Sequence, residues 1–312
     1  MSKNALGAIC LTLAASIWGG MYVVSKYSLD QIPPFGLMWL RYLLGFGLLY
    51  AILKGTQPKD RQPLRKRDWL QFAWIGLVGY FISIAAQFWG TKLSNASMGS
   101  LITSASPAFI FIFAWILLKE KLTLKKLSAL VLSTIGVMMV IGLSPSQSQT
   151  ALLGNLILVI AAVTWALLSV FVKKASAQHR SLVITTYAVG FGLLWTTPFF
   201  IWEAVTTGWR FSSPLLLTLS IIYLGLVSTA GAFFLWNKGL ELMEAGIGSL
   251  FFFFQPLVGA ILGWLILGEV LSISFLIGSI LILTGVGIAT YQRSRQITDS
   301  LESEKSEKGS GL

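Results

Sequence analysis

The sequence has little charge for its length. Only 11% of its 312 residues are Asp, Glu, Lys or Arg, and 55% are hydrophobic. A soluble domain has about 25% charged residues. Because so few charged side chains cannot cover the surface of a water-soluble fold, the composition excludes a soluble globular protein.

The sequence is also poor in residues that bind metals or carry out covalent catalysis. It has one cysteine, Cys10, and one histidine, His179, so an internal disulfide is excluded and a zinc site is not expected. It contains no Walker loop, GxSxG motif or HExxH motif. We therefore expect no metal, no cofactor and no enzymatic activity. A membrane-embedded enzyme is kept only as an alternative.

Long apolar runs take up most of the chain. A bilayer core about 30 Å thick is crossed by a helix of roughly 20 apolar residues. The sequence predicts ten such helices and therefore an all-α, multi-pass membrane protein. The predicted spans are 5–25, 35–53, 69–90, 96–118, 126–143, 151–172, 182–204, 214–236, 246–267 and 273–291.

The basic residues are distributed unevenly between the two sides of these spans. If the N-terminus is cytoplasmic, 19 of the 23 Lys and Arg residues fall on the cytoplasmic side. The positive-inside rule then predicts a protein of the cell (inner) membrane with both termini in the cytoplasm. The net charge of +11 thus indicates topology, and no nucleic-acid partner is expected. The basic stretch 59–68 is interpreted as a topology signal, with contact to anionic lipid as the alternative.

One segment of the chain occurs twice. Residues 98–123 and 247–272 share G-S-L, five residues, P, seven residues, W, four residues and E, at an offset of 149. Near an offset of 147, Trp18 in the first span matches Trp165 in the sixth. We predict a first five-helix repeat over 1–145, a second over 146–291 and a disordered cytoplasmic tail over 292–312.

An odd number of helices in each repeat predicts that the second copy enters the membrane from the opposite side. Inverted repeats of this kind are the architecture of many secondary transporters. Pro107 and Pro256 lie near the centres of the fourth and ninth predicted spans, and interrupted helices at matching positions indicate a midplane binding site. The alternative is that both prolines only kink their helices to fit their neighbours.

The duplicated five-helix unit and the G-S-L…P…W…L-G-E pattern resemble the EamA family of the drug/metabolite transporter superfamily. The resemblance covers about residues 5–291 and is most specific in 244–272. The first copy departs from the pattern, because Lys119 stands where the second has Gly268. The resemblance implies an exporter of amino acids or similar metabolites. It also implies a central cavity lined mainly by helices 1, 3, 4, 6, 8 and 9.

Arg41 is a charged residue near the middle of a span, where a charge is costly unless it faces a cavity or a partner. We expect it either to bind the carboxylate of an amino-acid-like substrate or to order the backbone ends of the kinked helices.

All twelve carboxylates lie in loops, tails or helix ends. This argues against a proton antiporter built on an intramembrane carboxylate and against a dedicated cationic-drug pump. Glu120 and Glu269 are expected to cap or pair at the interface, with gating as the alternative.

Polar and aromatic residues at matched sites complete the predicted binding site. Trp18 and Trp165 form either buried packing or a cavity wall. The Phe run 251–254 is expected to form an aromatic wall, with partial contact to lipid as the alternative. The partners we expect are a small-molecule substrate and the lipid bilayer, for a monomer. The alternatives to an exporter are a passive facilitator, a multidrug exporter of the same fold, and a membrane sensor or assembly protein. The predicted substrate-binding residues are Trp18, Arg41, Gln87, Thr103, Ser104, Pro107, Trp165, Trp236, Phe252, Gln255 and Pro256.

Overall fold

A computed structural model describes residues 2–56, 64–94, 99, 102–141, 149–208, 214–267, 273–274 and 276–289. Every regular element within these ranges is helical, which confirms the all-α prediction for this part of the chain. The predicted tail from 292 onward, residues 59–63 of the basic stretch 59–68 and Glu269 lie outside the described residues.

Ten helices follow one another along the described ranges. Six of them, α1, α2, α3, α6, α7 and α8, are long and apolar enough to cross a membrane, and α4, α9 and α10 are shorter apolar helices. The chain is therefore a multi-pass membrane protein. The helices are α1 (Lys3–Leu29), α2 (Pro34–Thr56), α3 (Lys66–Leu93), α4 (Ser106–Leu118), α5 (Leu124–Ile141), α6 (Gln149–Ala175), α7 (Ser181–Thr207), α8 (Leu215–Leu242), α9 (Ala245–Ser249, Leu250–Phe253 and Phe254–Leu267) and α10 (Leu276–Ala289).

The helix breaks associated with the two prolines lie just before them. Pro107 is at the start of α4, after a turn at Ser104 and Ala105. Pro256 is the third residue of the α-helical part of α9, after the 3₁₀ turn Leu250–Phe253. The backbone amides in the first turn of a helix have no intrahelical hydrogen-bond partner, so the missing N–H of a proline breaks no hydrogen bond there. Each proline therefore destabilises its helix less than an interior proline would. Both helices are thus interrupted next to their proline, as in the interpretation of interrupted helices.

Two of the long helices contain a π-helical segment at matching places. The segment in α3 is Gly76–Ser83 and the segment in α8 is Tyr223–Gly231. Their first residues are 147 positions apart, which is the offset that relates Trp18 to Trp165. Segments of π-helix are rare and are frequently found at functional sites.

The helices of the two halves pack against each other in exchangeable pairs. Helix α1 packs against α8 and α9, and α6 packs against α3 and α4. Helices α2 and α7 pack together, and each also contacts the π segment of the other half. Replacing α1 by α6, α2 by α7, α3 by α8 and α4 by α9 reproduces the same contacts.

Two pairs of glycines let the helix backbones approach closely in two of these crossings, one pair in each crossing. A Cβ on Gly90 would lie 2.9 Å from the carbonyl oxygen of Gly154, and a Cβ on Gly239 would lie 3.1 Å from that of Gly7. Gly7 and Gly154 are 147 positions apart, and Gly90 and Gly239 are 149 positions apart. Small residues therefore bring the backbones together at equivalent places in the α3–α6 and α1–α8 crossings.

The end of α4 contains the one left-handed non-glycine residue in the described part of the chain. Lys119 has a φ of 57°, and at the end of α7 Gly208 takes a φ of 61°. Glycine adopts this conformation without a steric penalty, whereas other residues do not. The position at which the first repeat departs from the family pattern is thus a left-handed helix terminus, where glycine is the favoured residue.

Candidate functional site

A narrow cavity lies where α1, α3, α6, α8 and α9 meet the segment before α4. It encloses about 360 Å³ of empty space, including its mouth. Six of the eleven predicted substrate residues line it, and they come from the helices that the family resemblance implies. The lining residues are Trp18, Met21, Ser83, Ile84, Gln87, Thr103, Ala161, Trp165, Phe233, Phe252 and Gln255.

The wall of this cavity contains hydroxyls, amides and indoles but no charged side chain. The described part of the chain also has no group of three or more His, Cys, Asp and Glu residues that could hold a metal ion. The buried carboxylate of Glu203 lies in the last turns of α7, where it accepts a hydrogen bond of 2.8 Å from the Gly36 amide. A ligand in the cavity would therefore meet neutral hydrogen-bonding groups.

Trp18, Trp165, Phe233 and Phe252 line part of the cavity, and Trp236 packs behind them to complete an aromatic cluster. Trp18 and Trp165 meet edge to face, with ring centroids 5.1 Å apart. The centroids of Phe233 and Phe252 lie 5.7 and 5.9 Å from that of Trp18. Tilted and edge-on contacts of this length are the favourable arrangements of aromatic rings. The cluster is a rigid apolar surface shared by both halves.

A chain of hydrogen bonds runs through two polar residues of the wall, Gln87 and Thr103. The Gln87 Nε2 donates to the Tyr22 hydroxyl at 2.5 Å, and the Tyr22 and Thr103 hydroxyls are 2.6 Å apart. The Thr103 hydroxyl donates its hydrogen to the Gly99 carbonyl at 2.7 Å, so Tyr22 is the donor to Thr103. The chain ties α1 and α3 to the break before α4.

Two polar atoms of the cavity wall have no hydrogen-bond partner among the described residues. They are the indole Nε1 of Trp165 and the amide Oε1 of Gln255. By contrast, the indole of Trp18 donates to the Ser228 carbonyl at 3.1 Å. A buried polar atom without a partner costs about 1–3 kcal/mol. A donor and an acceptor left unpaired in one cavity are suited to a ligand that carries the complementary pair of groups.

Arg41 lies one layer behind the cavity wall and is completely buried. Its Nε donates to the Thr229 hydroxyl at 2.8 Å, and its Nη1 lies 3.9 Å from the sulfur of Met21. Its guanidinium carbon is 5.5 Å from the ring centroid of Phe88 and 5.6 Å from that of Phe233. Each aromatic face offsets part of the cost of burying the charge, by about 0.5–2 kcal/mol. Arg41 does not line the cavity in this conformation.

Four other predicted residues support the cavity without lining it. Trp236 is completely buried beneath Trp18, and its indole lies 3.3 Å from the Ser169 hydroxyl. Ser104, Pro107 and Pro256 are buried at the two helix breaks. These residues shape the wall through the backbone and the packing behind it.

Five lining residues were missed in the sequence: Met21, Ser83, Ile84, Ala161 and Phe233. Each lies one helical turn, three or four positions, from a residue that was predicted. Met21 follows Trp18, Ala161 precedes Trp165 and Phe233 precedes Trp236. Residues at this spacing share a helix face. Helical periodicity was therefore the signal that could have found them.

Comparison with known proteins agrees with this architecture. The EamA-like transporter family matches the chain twice, over residues 5–142 and 152–291. The uncharacterized transporter YetK of Bacillus subtilis is 29% identical over 94% of this chain and 89% of its own length. A probable amino-acid metabolite efflux pump of Salmonella typhimurium is 27% identical over 89% of this chain and 93% of its own.

A solved structure shows that the fold exists in another protein. That crystal structure is 21% identical in sequence, has a TM-score of 0.75, and aligns with 94% of this chain and 99% of its own. At this identity the similarity concerns the fold alone. Taken with the family match over nearly the whole length, the sequence and the fold lead to one conclusion: the chain belongs to the EamA-like transporter family.

Proposed function

We propose that the protein is a secondary transporter that exports small amphipathic metabolites, amino acids or related compounds, by alternating access at the central cavity. Its ten helices would all span the membrane, in two inverted repeats of five. The observation that carries the proposal is a cavity at the junction of equivalent helices from both halves, with one donor, Trp165 Nε1, and one acceptor, Gln255 Oε1, unpaired in its wall.

The packing supports the inverted arrangement. Contacts of the first half exchange with those of the second, and the glycine pairs and π segments recur at the repeat offsets. Exchangeable contacts are what a two-fold relation between the halves produces. With five helices in each half, the axis of that relation lies in the membrane plane. Rocking of one half against the other would then open the cavity to either side.

The chemistry of the wall supports a substrate that is apolar on one side and polar on the other. The aromatic cluster offers a large apolar surface, and Gln87, Thr103 and Gln255 place polar groups in the same wall. An amino acid with an apolar side chain, or a neutral derivative, presents both kinds of surface. The Salmonella relative named as a probable amino-acid metabolite efflux pump supports the same class.

The distribution of basic residues supports an inner-membrane location with both termini in the cytoplasm. In that orientation α1 and α3 run outward, and Lys126 and Glu244, which pair at 2.7 Å, lie on the cytoplasmic side. Export would then carry a substrate from the side rich in lysine and arginine to the opposite face.

The test is efflux from cells that overproduce the protein and are loaded with amino acids as dipeptides, with all twenty measured in the medium. The expected result is selective release of one chemical class of amino acids, which is slower in Trp165→Phe and unchanged in Trp202→Phe, a substitution of an exposed side chain. No selective release despite protein in the membrane would contradict amino-acid export. Trans-stimulated counterflow is expected of a carrier, and its absence in a transporting protein would contradict alternating access.

A further inference from the structure

The two π segments flank the walls of the cavity. Ser83, the last residue of the segment in α3, lines the cavity, and Phe233 lines it two residues after the segment in α8. In a π segment each backbone hydrogen bond spans five residues, one more than in an α-helix. Conversion of one geometry into the other would turn the residues beyond it by about 100°. Such a conversion would move a cavity wall.

Two consecutive residues of α2 reach both segments. The Tyr42 hydroxyl donates to the Tyr80 carbonyl oxygen, inside the π segment of α3. The Arg41 Nε donates at 2.8 Å to the hydroxyl of Thr229, inside the π segment of α8. That hydroxyl donates in turn to the Leu224 carbonyl, five residues back in the same segment, at 2.7 Å.

The guanidinium group of Arg41 lies between the continuations of both segments. It is 5.5 Å from the ring of Phe88 on α3 and 5.6 Å from the ring of Phe233 on α8. Its Nη2 has no hydrogen-bond partner in the described structure. The group therefore retains one donor that a carbonyl released by a rearranging π segment would satisfy.

We propose that Arg41 and Tyr42 are positioning residues that couple the two π segments, so that the cavity walls from the two halves change conformation together. This rests on the proposed function for its role in transport, but the coupling itself is a property of the folded chain. Arg41 and Tyr42 act through Thr229 and Tyr80 and touch no substrate. Because both residues are on one turn of α2, a shift of one segment is transmitted to the other.

The first test is hydrogen–deuterium exchange on the full chain in lipid nanodiscs without substrate. Tyr42→Phe removes only the hydroxyl bonded to α3. Thr229→Val removes the hydroxyl that bonds both to Arg41 and to the Leu224 carbonyl, so the distant segment 76–83 is the one that tests the coupling for this variant. Each is expected to raise amide exchange about tenfold in both segments, 76–83 and 223–231. Thr134→Val, which removes an intrahelical hydroxyl bond to the Leu130 carbonyl in α5, is the matched control. Because α5 packs mainly against α9, the control is expected to change neither segment.

The result that would overturn the coupling is faster exchange confined to the segment that each variant touches. If one of the two variants fails to fold, the other still tests the proposal. Tyr42→Phe tests the effect on the distant segment 223–231, and Thr229→Val tests the effect on the distant segment 76–83. This measurement needs no substrate, so it is independent of whether the protein exports amino acids.

Transport gives the second test once a substrate is known. Tyr42→Phe and Thr229→Val are each expected to lower the maximal rate about fivefold to tenfold, with KM changed less than about twofold. In the double variant the loss is expected to equal that of one single variant, because both break the same coupling. Independent, multiplicative losses, or a change confined to KM, would contradict the proposal.

Discussion

Trp18 and Trp165 occupy equivalent places in the two halves and meet edge to face at the centre of the bundle, with ring planes at 88°. Their surroundings differ in one respect. The Trp18 indole donates to the Ser228 carbonyl, and the Trp165 indole has no partner. The same residue in the two repeats is thus satisfied by protein in one half and open to a ligand in the other.

This difference predicts different effects for two identical substitutions. Trp165→Phe is expected to raise the KM for transport up to about tenfold, because only a ligand would use its N–H. Both variants lose part of a packed ring, but Trp18→Phe is expected to be less stable than Trp165→Phe by about 1 kcal/mol, because only Trp18→Phe also loses a protein hydrogen bond. The measurements are transport kinetics and thermal unfolding in detergent. Equal effects of both variants on KM would contradict the assignment.

Glu120 acts as the cap of a helix in the other half, as expected from its place after the fourth span. Its two carboxylate oxygens accept hydrogen bonds from the amides of Ala245 and Gly246, at 2.7 and 3.0 Å, at the start of α9. Glu120→Gln is expected to lower the stability by about 1–2 kcal/mol, because the negative charge at the helix N-terminus is lost. Glu244→Gln, which breaks a half-exposed ion pair with Lys126, is expected to cost less than about 1 kcal/mol. Equal losses of stability in the two variants would contradict the larger contribution of the Glu120 cap.

Two glycines of α2 are expected to respond in opposite directions to the same change. A Cβ on Gly45 would lie 2.6 Å from the Cγ2 of Thr229 and 3.0 Å from the Gly225 carbonyl, whereas a Cβ on Gly47 would meet nothing within 4 Å. Gly45→Ala is therefore expected to destabilise by about 1–3 kcal/mol through overpacking at the π segment. Gly47→Ala is expected to stabilise by up to about 1 kcal/mol through helix propensity. Thermal unfolding of both variants measures the contrast, and a stable Gly45→Ala would contradict the close contact.

The left-handed helix ends give a matched pair of backbone predictions. Lys119→Gly is expected to stabilise the protein by roughly 1 kcal/mol, since glycine takes a φ of 57° without strain. Gly208→Ala, at a φ of 61°, is expected to destabilise it by a similar amount. Denaturation midpoints measured side by side in one detergent check both signs. A loss of stability in Lys119→Gly would mean that the lysine side chain contributes more than its backbone costs.

The sequence alone determined the class of fold and the approximate positions of the helices. Apolar runs are local, and a helix in a bilayer must satisfy its own backbone hydrogen bonds, so a run such as 5–25 predicts the helix Lys3–Leu29 without knowledge of its neighbours. The repeated G-S-L…P…W…E pattern likewise indicated the family from the sequence alone. Six of the cavity-lining residues, including Trp18, Trp165 and Gln255, were also found because they combine polarity or aromaticity with an apolar span.

Only the tertiary structure decided which polar atoms are satisfied and where the helices change geometry. The π segments 76–83 and 223–231 have no composition that distinguishes them from α-helix, because they result from contacts between helices. Whether Arg41 lines the cavity or stands behind it depends on Met21 and Phe233, which belong to two other helices. Hydrophobicity and motif spacing follow the order of the chain, whereas a cavity is formed by residues that are distant along it.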